Sequence, residues 1–99
     1  IDDEIATGGS ICEAVGVAKA NGARDIHVVF IHPVLSSNAA QRLSALPVKH
    51  FTTTNSIPMP EEDKRLFGSR LTILSVGPLL GEVIKRANEG TSVGAMFNE

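Results

Sequence analysis

Segments rich in β-branched residues alternate along this chain with segments whose apolar residues recur at helical spacing. Ile26 to Ile31 is almost wholly apolar, the pattern of a strand covered on both faces. Val48 to Thr54, with Phe51 and a run of threonines, and Leu71 to Val76 read as further strands. The first helix is expected from Ser10, where Ser10 and Glu13 fit a capping box, through Ile11, Ala14, Val15 and Ala18 to a stop at Asn21-Gly22. A second follows the caps Ser36, Ser37 and Asn38, carries Ala39, Ala40, Leu43 and Leu46 as its stripe, and ends at Pro47. A third has Pro78 at its first position, buries Leu80, Val83, Ile84 and Ala87, places Lys85 and Arg86 in its last turn, and stops at Gly90. Asn55 to Asp63, with Pro58 and Pro60, reads as a loop with one helical turn after it. Such alternation predicts an α/β fold with a mainly parallel sheet flanked by helices, whose sites lie at the carboxyl ends of the strands.

With 99 residues the chain holds one domain and one modest core. Its formal net charge of -2 argues against nucleic acid, which needs a basic face. No apolar run is long enough for a membrane helix, because Ile26 to Leu35 is interrupted by His27, His32 and Pro33. A single cysteine, Cys12, excludes a disulfide framework and points to a reducing compartment such as the cytoplasm. The chain starts on Ile, and Ile1-Asp2-Asp3 reads like the end of a strand whose apolar beginning is missing. A piece of a longer protein is therefore expected.

The chemistry is concentrated in Asp2-Asp3-Glu4-Ile5-Ala6-Thr7-Gly8-Gly9-Ser10, read as carboxylates at a strand end followed by a polar loop into a helix. A helix N-terminus offers unpaired N–H groups and partial positive charge. Gly8 and Gly9 are expected to bring backbone close to a ligand in positive-φ conformations, and Thr7 and Ser10 add hydroxyl donors. That combination suits a phosphate monoester. Ionised Asp2 and Asp3 only accept hydrogen bonds, so they suit sugar hydroxyls or magnesium-bound water. Cradle and acceptors together suggest a phosphorylated polyol such as ribose 5-phosphate. The blander reading is a turn, a flexible Gly-Gly and a Ser10 that only caps its helix. The Walker and dinucleotide patterns are excluded by the absence of Gly-Lys-Ser/Thr and by glycine spacing.

This stretch resembles the phosphoribosyl-diphosphate fingerprint of type I phosphoribosyltransferases. Within that group the chain is similar to the carboxy-terminal domain of the ribose-phosphate pyrophosphokinase family over nearly its whole length. The later segments that carry the resemblance are Ile31 to Ala39, Thr54-Asn55-Ser56-Ile57-Pro58, Leu74 to Glu82 and Ser92 to Phe97. The resemblance implies a phosphoribosyltransferase-like half of a larger enzyme. That enzyme transfers diphosphate from ATP to the 1-hydroxyl of ribose 5-phosphate with Mg2+, releasing AMP. It implies that Ala6 (through its backbone), Thr7, Gly8, Gly9 and Ser10 hold the phosphate. Asp2 and Asp3 would hold the ribose hydroxyls, directly or through magnesium and water. It implies that ATP binds through an amino-terminal half absent here, and that the protein forms dimers built up into hexamers. It also implies a regulatory nucleotide site at Ser92, Val93 and Phe97; the alternative is a tail that packs Val93, Met96 and Phe97 onto the sheet.

The chain departs from the family pattern at Ala6, where most synthetases carry an Asp that contacts ribose. Pro33 and Ser37 stand where the family has Gly. Adenine phosphoribosyltransferases resemble the chain in their Ala-Thr-Gly-Gly. Two other functions are therefore weighed, a regulatory paralogue that binds synthetase subunits and a nucleobase phosphoribosyltransferase. His32 is expected at a strand end facing the crevice, more as a packing or hydrogen-bonding residue than a substrate contact. His27 and His50 read as ordinary strand residues, Cys12 as a packing residue, and Glu61 to Arg65 as a solvated face or a helix start.

Overall fold

The computed structural model describes residues 1–98. Four parallel strands form one sheet in the order β1 (Asp2–Ile5), β2 (His27–Pro33), β3 (His50–Thr54) and β4 (Leu71–Leu74). Between them run α1 (Gly9–Ala20), α2 (Ala39–Ser44) and α3 (Glu61–Phe67), and α4 (Gly77–Glu89) follows the last strand. The expected α/β class is the one observed. Each strand lies beside its predecessor, so right-handed crossovers carry α1, α2 and α3 to the same face of the sheet. On that face α2 packs against both α1 and α3.

Phe30, Leu43, Phe51, Phe67 and Thr53 fill the core beneath these helices and are fully buried. Phe51 and Phe67 meet edge to face, with ring centroids 5.0 Å apart at 66°. Arg70, in the 3-10 turn after α3, lies 5.5 Å over the Phe51 ring. Its guanidinium donates to the carbonyls of Ser44, Leu46 and Val48, so one side chain caps the end of α2 and ties it to the approach to β3.

Several expectations are corrected. The first strand runs on through Ile5, past the strand end expected at Asp2-Asp3: pairing with β2, and the buried Ile5 that locks its register, override the poor strand preference of Asp and Glu. Ile26–Ile31 is not covered on both faces, because the same-side crossovers leave the other face open, with Ile31 41% and Leu74 54% exposed. Beyond Pro60 the chain forms α3, more than a single turn, with Glu61, Glu62 and Asp63 at its positive end. Its one buried anchor is Phe67, so no apolar stripe announces it. α2 ends at Ser44, short of Pro47.

The largest correction concerns α4. Pro78 opens the helix as expected, but the helix buries no residue. Leu80 is 53% and Ile84 69% exposed, Ala87 is exposed, and Val83 is only half-buried. Among the described residues nothing buries its amphipathic stripe. The molecule is accordingly elongated, 50 × 31 × 22 Å, with a radius of gyration of 16.3 Å. A compact chain of this length has about 13 Å. Its accessible surface of 6336 Å² likewise exceeds the roughly 5,400 Å² expected for a folded monomer of this mass. Among the described residues the tail bonds back onto α4 and itself, through Arg86 Nη1 to the Ser92 carbonyl at 2.7 Å and Ala95 N–H to Ser92 Oγ at 3.2 Å. Phe97 is 53% exposed while Val93 and Met96 are half-buried, so the alternative of a tail that packs all three onto the sheet does not hold for Phe97.

Candidate functional site

The run from Asp2 to Ile11 lines a single cavity of about 270 Å³ at the carboxyl end of β1. Asp2, Asp3, Ala6, Thr7, Gly8, Gly9 and Ser10 are thus brought together, as the sequence leads one to expect. Ser92, Val93 and Phe97 do not line this cavity.

The turn from β1 into α1 depends on Gly8. Its φ is 85°, in the left-handed region that side chains disfavour, and it is buried. A Cβ there would sit 3.4 Å from Leu43 Cδ2 and 4.0 Å from the Ala39 Cβ, both on α2. Those are ordinary contact distances, so the left-handed φ rather than lack of space is what calls for glycine here. Gly9 has an ordinary helical φ, which corrects the expectation that both glycines need positive φ. Gly8→Ala should cost about 1–2 kcal/mol in the intact protein, from left-handed strain, whereas Gly9→Ala should cost nothing measurable. Paired denaturant titrations check this contrast.

The capping box does not form. Gly8 is the N-cap, its carbonyl accepting the Cys12 N–H at 2.9 Å, so the cap lies two residues before the expected Ser10. Ser10 falls inside the first turn, and its hydroxyl makes no hydrogen bond among the described residues. It is therefore free for a ligand rather than spent as a cap. The Gly9 N–H makes only a long bond to Thr7 Oγ1, 3.4 Å, and the first-turn amides of Ser10 and Ile11 have no carbonyl a turn earlier to meet. Hydroxyls and amides converge on one mouth, as an anion cradle requires.

The carboxylates at the other end are positioned by their own backbone. Asp2 Oδ1 accepts the Asp3 N–H at 2.8 Å, and Asp3 Oδ1 accepts the Glu4 N–H at 2.9 Å. Each keeps a second oxygen for solvent or ligand. The Asp3 carboxyl is held below the usual carboxylate range by the neighbouring Asp2 side chain, then by the Glu4 N–H, with a smaller attraction from His32. It stays ionised to lower pH than an ordinary aspartate. His32 sits opposite Glu4 in the sheet register, and its Nδ1 bonds Ser56 Oγ at 2.8 Å. That is the hydrogen-bonding role expected of it. Among the described residues no cluster of three or more His, Cys, Asp or Glu could enclose a metal. Two neighbouring carboxylates with free oxygens do match the way magnesium binds, through one or two carboxylates with retained water and substrate phosphate.

Segments distant in sequence brace the loop. Leu35 N–H donates to the Ile5 carbonyl and Ser36 N–H to the Ala6 carbonyl, both at 2.9 Å. The strap bends sharply: Leu35 has φ 44° and Ser37 has φ 56°. A serine therefore occupies a left-handed position where the resembling family has glycine. Pro33 is buried as the last residue of β2, opposite Ile5. Asn55 Oδ1 accepts the Val76 N–H at 2.9 Å, and its own N–H donates to the Leu74 carbonyl at 3.0 Å, fixing the step from β4 to α4. One basic residue near the site escapes the sequence reading. Arg42 Nη2 lies 3.9 Å from where a Cβ on Gly9 would be, and Thr7 Oγ1 lies 3.7 Å from the same point. No local signal marks it, because it arrives from a different helix.

Comparison with known proteins gives consistent results. The family described as the phosphoribosyl synthetase-associated domain matches residues 1–98. A ribose-phosphate pyrophosphokinase of Bacillus subtilis is 43% identical over 98 residues, covering 99% of this chain and 30% of that protein. Its counterpart in Deinococcus radiodurans is 36% identical over 97 residues, covering 98% and 30%. The crystal structure of phosphoribosylpyrophosphate synthetase from Mycobacterium smegmatis superposes with a TM-score of 0.83 at 37% identity, over 90% of this chain and 29% of that one. The chain thus spans about three-tenths of the length of these relatives. Among the described residues no helix is long and apolar enough to cross a membrane.

Proposed function

The chain belongs to the phosphoribosyl synthetase-associated domain family, and from that membership and the geometry of its loop we propose that it supplies the ribose-5-phosphate half-site of a ribose-phosphate diphosphokinase. The observation that carries the reading is the cavity lined from Asp2 to Ile11, which joins an anion cradle at one end to paired acceptors at the other. Ribose 5-phosphate has that polarity, a dianionic monoester at one end and hydroxyls at the other. Thr7 and Ser10 hydroxyls with the first amides of α1 hold the phosphate. The free oxygens of Asp2 and Asp3 accept from the ribose hydroxyls.

In this reaction the 1-hydroxyl oxygen of the sugar attacks the β-phosphorus of ATP. The bond between that phosphorus and the oxygen bridging it to the α-phosphate breaks, AMP leaves with the oxygen, and the hydroxyl proton is released. Such transfers depend on positioning and charge neutralisation more than on covalent help from the protein. This chain's part is to hold the sugar by both ends so that the 1-hydroxyl is presented in one orientation. Magnesium, when bound, neutralises phosphate charge, and Asp2 and Asp3 would hold it through water. ATP binds outside this chain, in the remaining length that the relatives possess. The domain then acts within a longer, oligomeric protein of the cytoplasm. The exposed stripe of α4 is in keeping with burial against other parts of that protein.

AMP release from ATP, ribose 5-phosphate and Mg2+ by the intact protein tests the proposal. AMP formed in step with phosphoribosyl diphosphate is the expected result. Ribose 5-phosphate binding without AMP would point instead to a regulatory paralogue, a reading that Ala6 in the cavity wall favours because it lacks the carboxylate most synthetases carry there. Release of diphosphate from phosphoribosyl diphosphate and a nucleobase would identify a phosphoribosyltransferase. Neither binding nor AMP would leave the loop without a ligand and end the proposal.

A further inference from the structure

We propose that Arg42 is a direct ligand of the bound phosphate, closing from the α2 side the cradle that the β1–α1 loop opens; this rests on the loop being the phosphate site proposed above. The guanidinium and the Thr7 hydroxyl converge on one point above Gly9, at 3.9 and 3.7 Å from the position of an absent Cβ. Arg42 is not part of the cavity lining from Asp2 to Ile11, and it reaches the cradle only at this point, over the start of α1.

The placement follows from packing. Ala39, Ala40 and Leu43 are buried and hold α2 in the core. Ala39 and Leu43 lie within contact distance of the position a Gly8 Cβ would take, so α2 sits against the loop at Gly8. Arg42 precedes Leu43 on the same short helix, so whatever seats Leu43 against Gly8 also brings the cation over Gly9. The side chain is also uncommitted. Arg70 is spent on three carbonyls and Arg86 on Glu82 and the Ser92 carbonyl, but Arg42 makes no ion pair or side-chain hydrogen bond among the described residues.

Charge balance supplies the reason for a cation here. Asp2, Asp3 and Glu4 line the same cavity as the cradle. A dianionic monoester entering it meets three carboxylates, against a helix terminus worth only about half a positive charge. A guanidinium at the phosphate end offsets that repulsion, and its planar fork matches two phosphate oxygens at once. Because Arg42 is exposed, the attraction is screened by salt.

The test uses the intact protein with Arg42→Gln and Arg42→Lys, titrated with ribose 5-phosphate and with inorganic phosphate at low and high salt. The expected result is about tenfold weaker binding of both ligands by R42Q at low salt, a difference that narrows at high salt, with partial recovery in R42K. KM for ribose 5-phosphate should rise while kcat is kept. Wild-type affinity in R42Q, with an unchanged salt dependence, would overturn the assignment while binding by the wild type left the loop reading standing. Weakened ribose 5-phosphate binding with unaltered phosphate binding would also overturn it, because Arg42 would then act on the sugar. Failure of the wild type to bind either ligand would remove both the assignment and the reading beneath it.

Discussion

Gly9→Val in the intact protein should lower its affinity for ribose 5-phosphate by about 100-fold or more and leave its thermal midpoint within a few degrees of wild type. The two halves of that expectation come from the same geometry. Gly9 opens α1 with a helical backbone, so valine meets no φ strain, and its Cβ would stand at ordinary contact distances from Thr7 Oγ1 and Arg42 Nη2. The fold therefore accepts it. The two methyl groups beyond Cβ, however, occupy the space in which the proposal seats the phosphate, over the first amides of the helix. The ligand then loses several charge-assisted hydrogen bonds at once, while the protein loses almost nothing. Calorimetric titration with ribose 5-phosphate, beside a thermal melt, reads both halves. Unchanged affinity would remove the phosphate cradle from the account of this protein. A collapsed melt would mean that Gly9, like Gly8, is a packing residue.

The second large effect lies in the core. Phe51→Ala should destabilise the intact protein by about 4 kcal/mol, read as a lowered denaturant midpoint of this domain's transition at unchanged slope. Phe51 is fully buried in β3, with Val28 and Leu71 beside it in the sheet register. Its ring meets Phe67, the one buried anchor of α3, and lies beneath the Arg70 guanidinium. Truncation therefore opens a cavity, removes the edge-to-face pair, and leaves Arg70 over empty space while it still caps α2. Arg70 and α2 connect the core to the site, since α2 is the element that packs on Gly8 and carries Arg42. Ribose 5-phosphate affinity should fall along with stability in F51A. A loss under about 1 kcal/mol would mean that the site relaxes to fill the cavity, contrary to the tight packing expected of an interior.

Local sequence determined a good deal. The β-branched runs and the helix stops located β2, β3, β4, α1 and α4 to within a few residues, and their alternation required a parallel sheet. The order of carboxylates, Thr7, Gly8, Gly9 and Ser10 before a helix was enough to locate the cavity, because its lining is one contiguous run. Chemistry carried by neighbouring residues is legible in a sequence for that reason.

Tertiary structure decided the rest. Whether Ser10 capped its helix or faced a ligand depended on Gly8 taking φ 85° and becoming the N-cap in its place. The strand character of Asp2 to Ile5 came from pairing with β2, and α3 took its place from a single phenylalanine against β3. Arg42 reached the loop through packing across more than thirty residues of chain. The α4 residues expected to form a buried face are not buried, because periodicity states only that a face is apolar, never what covers it, and among the described residues nothing buries this one. Hydrophobic spacing and turn chemistry act over a few residues, so sequence reports them directly. Burial, register and the meeting of distant side chains exist only once the sheet has formed.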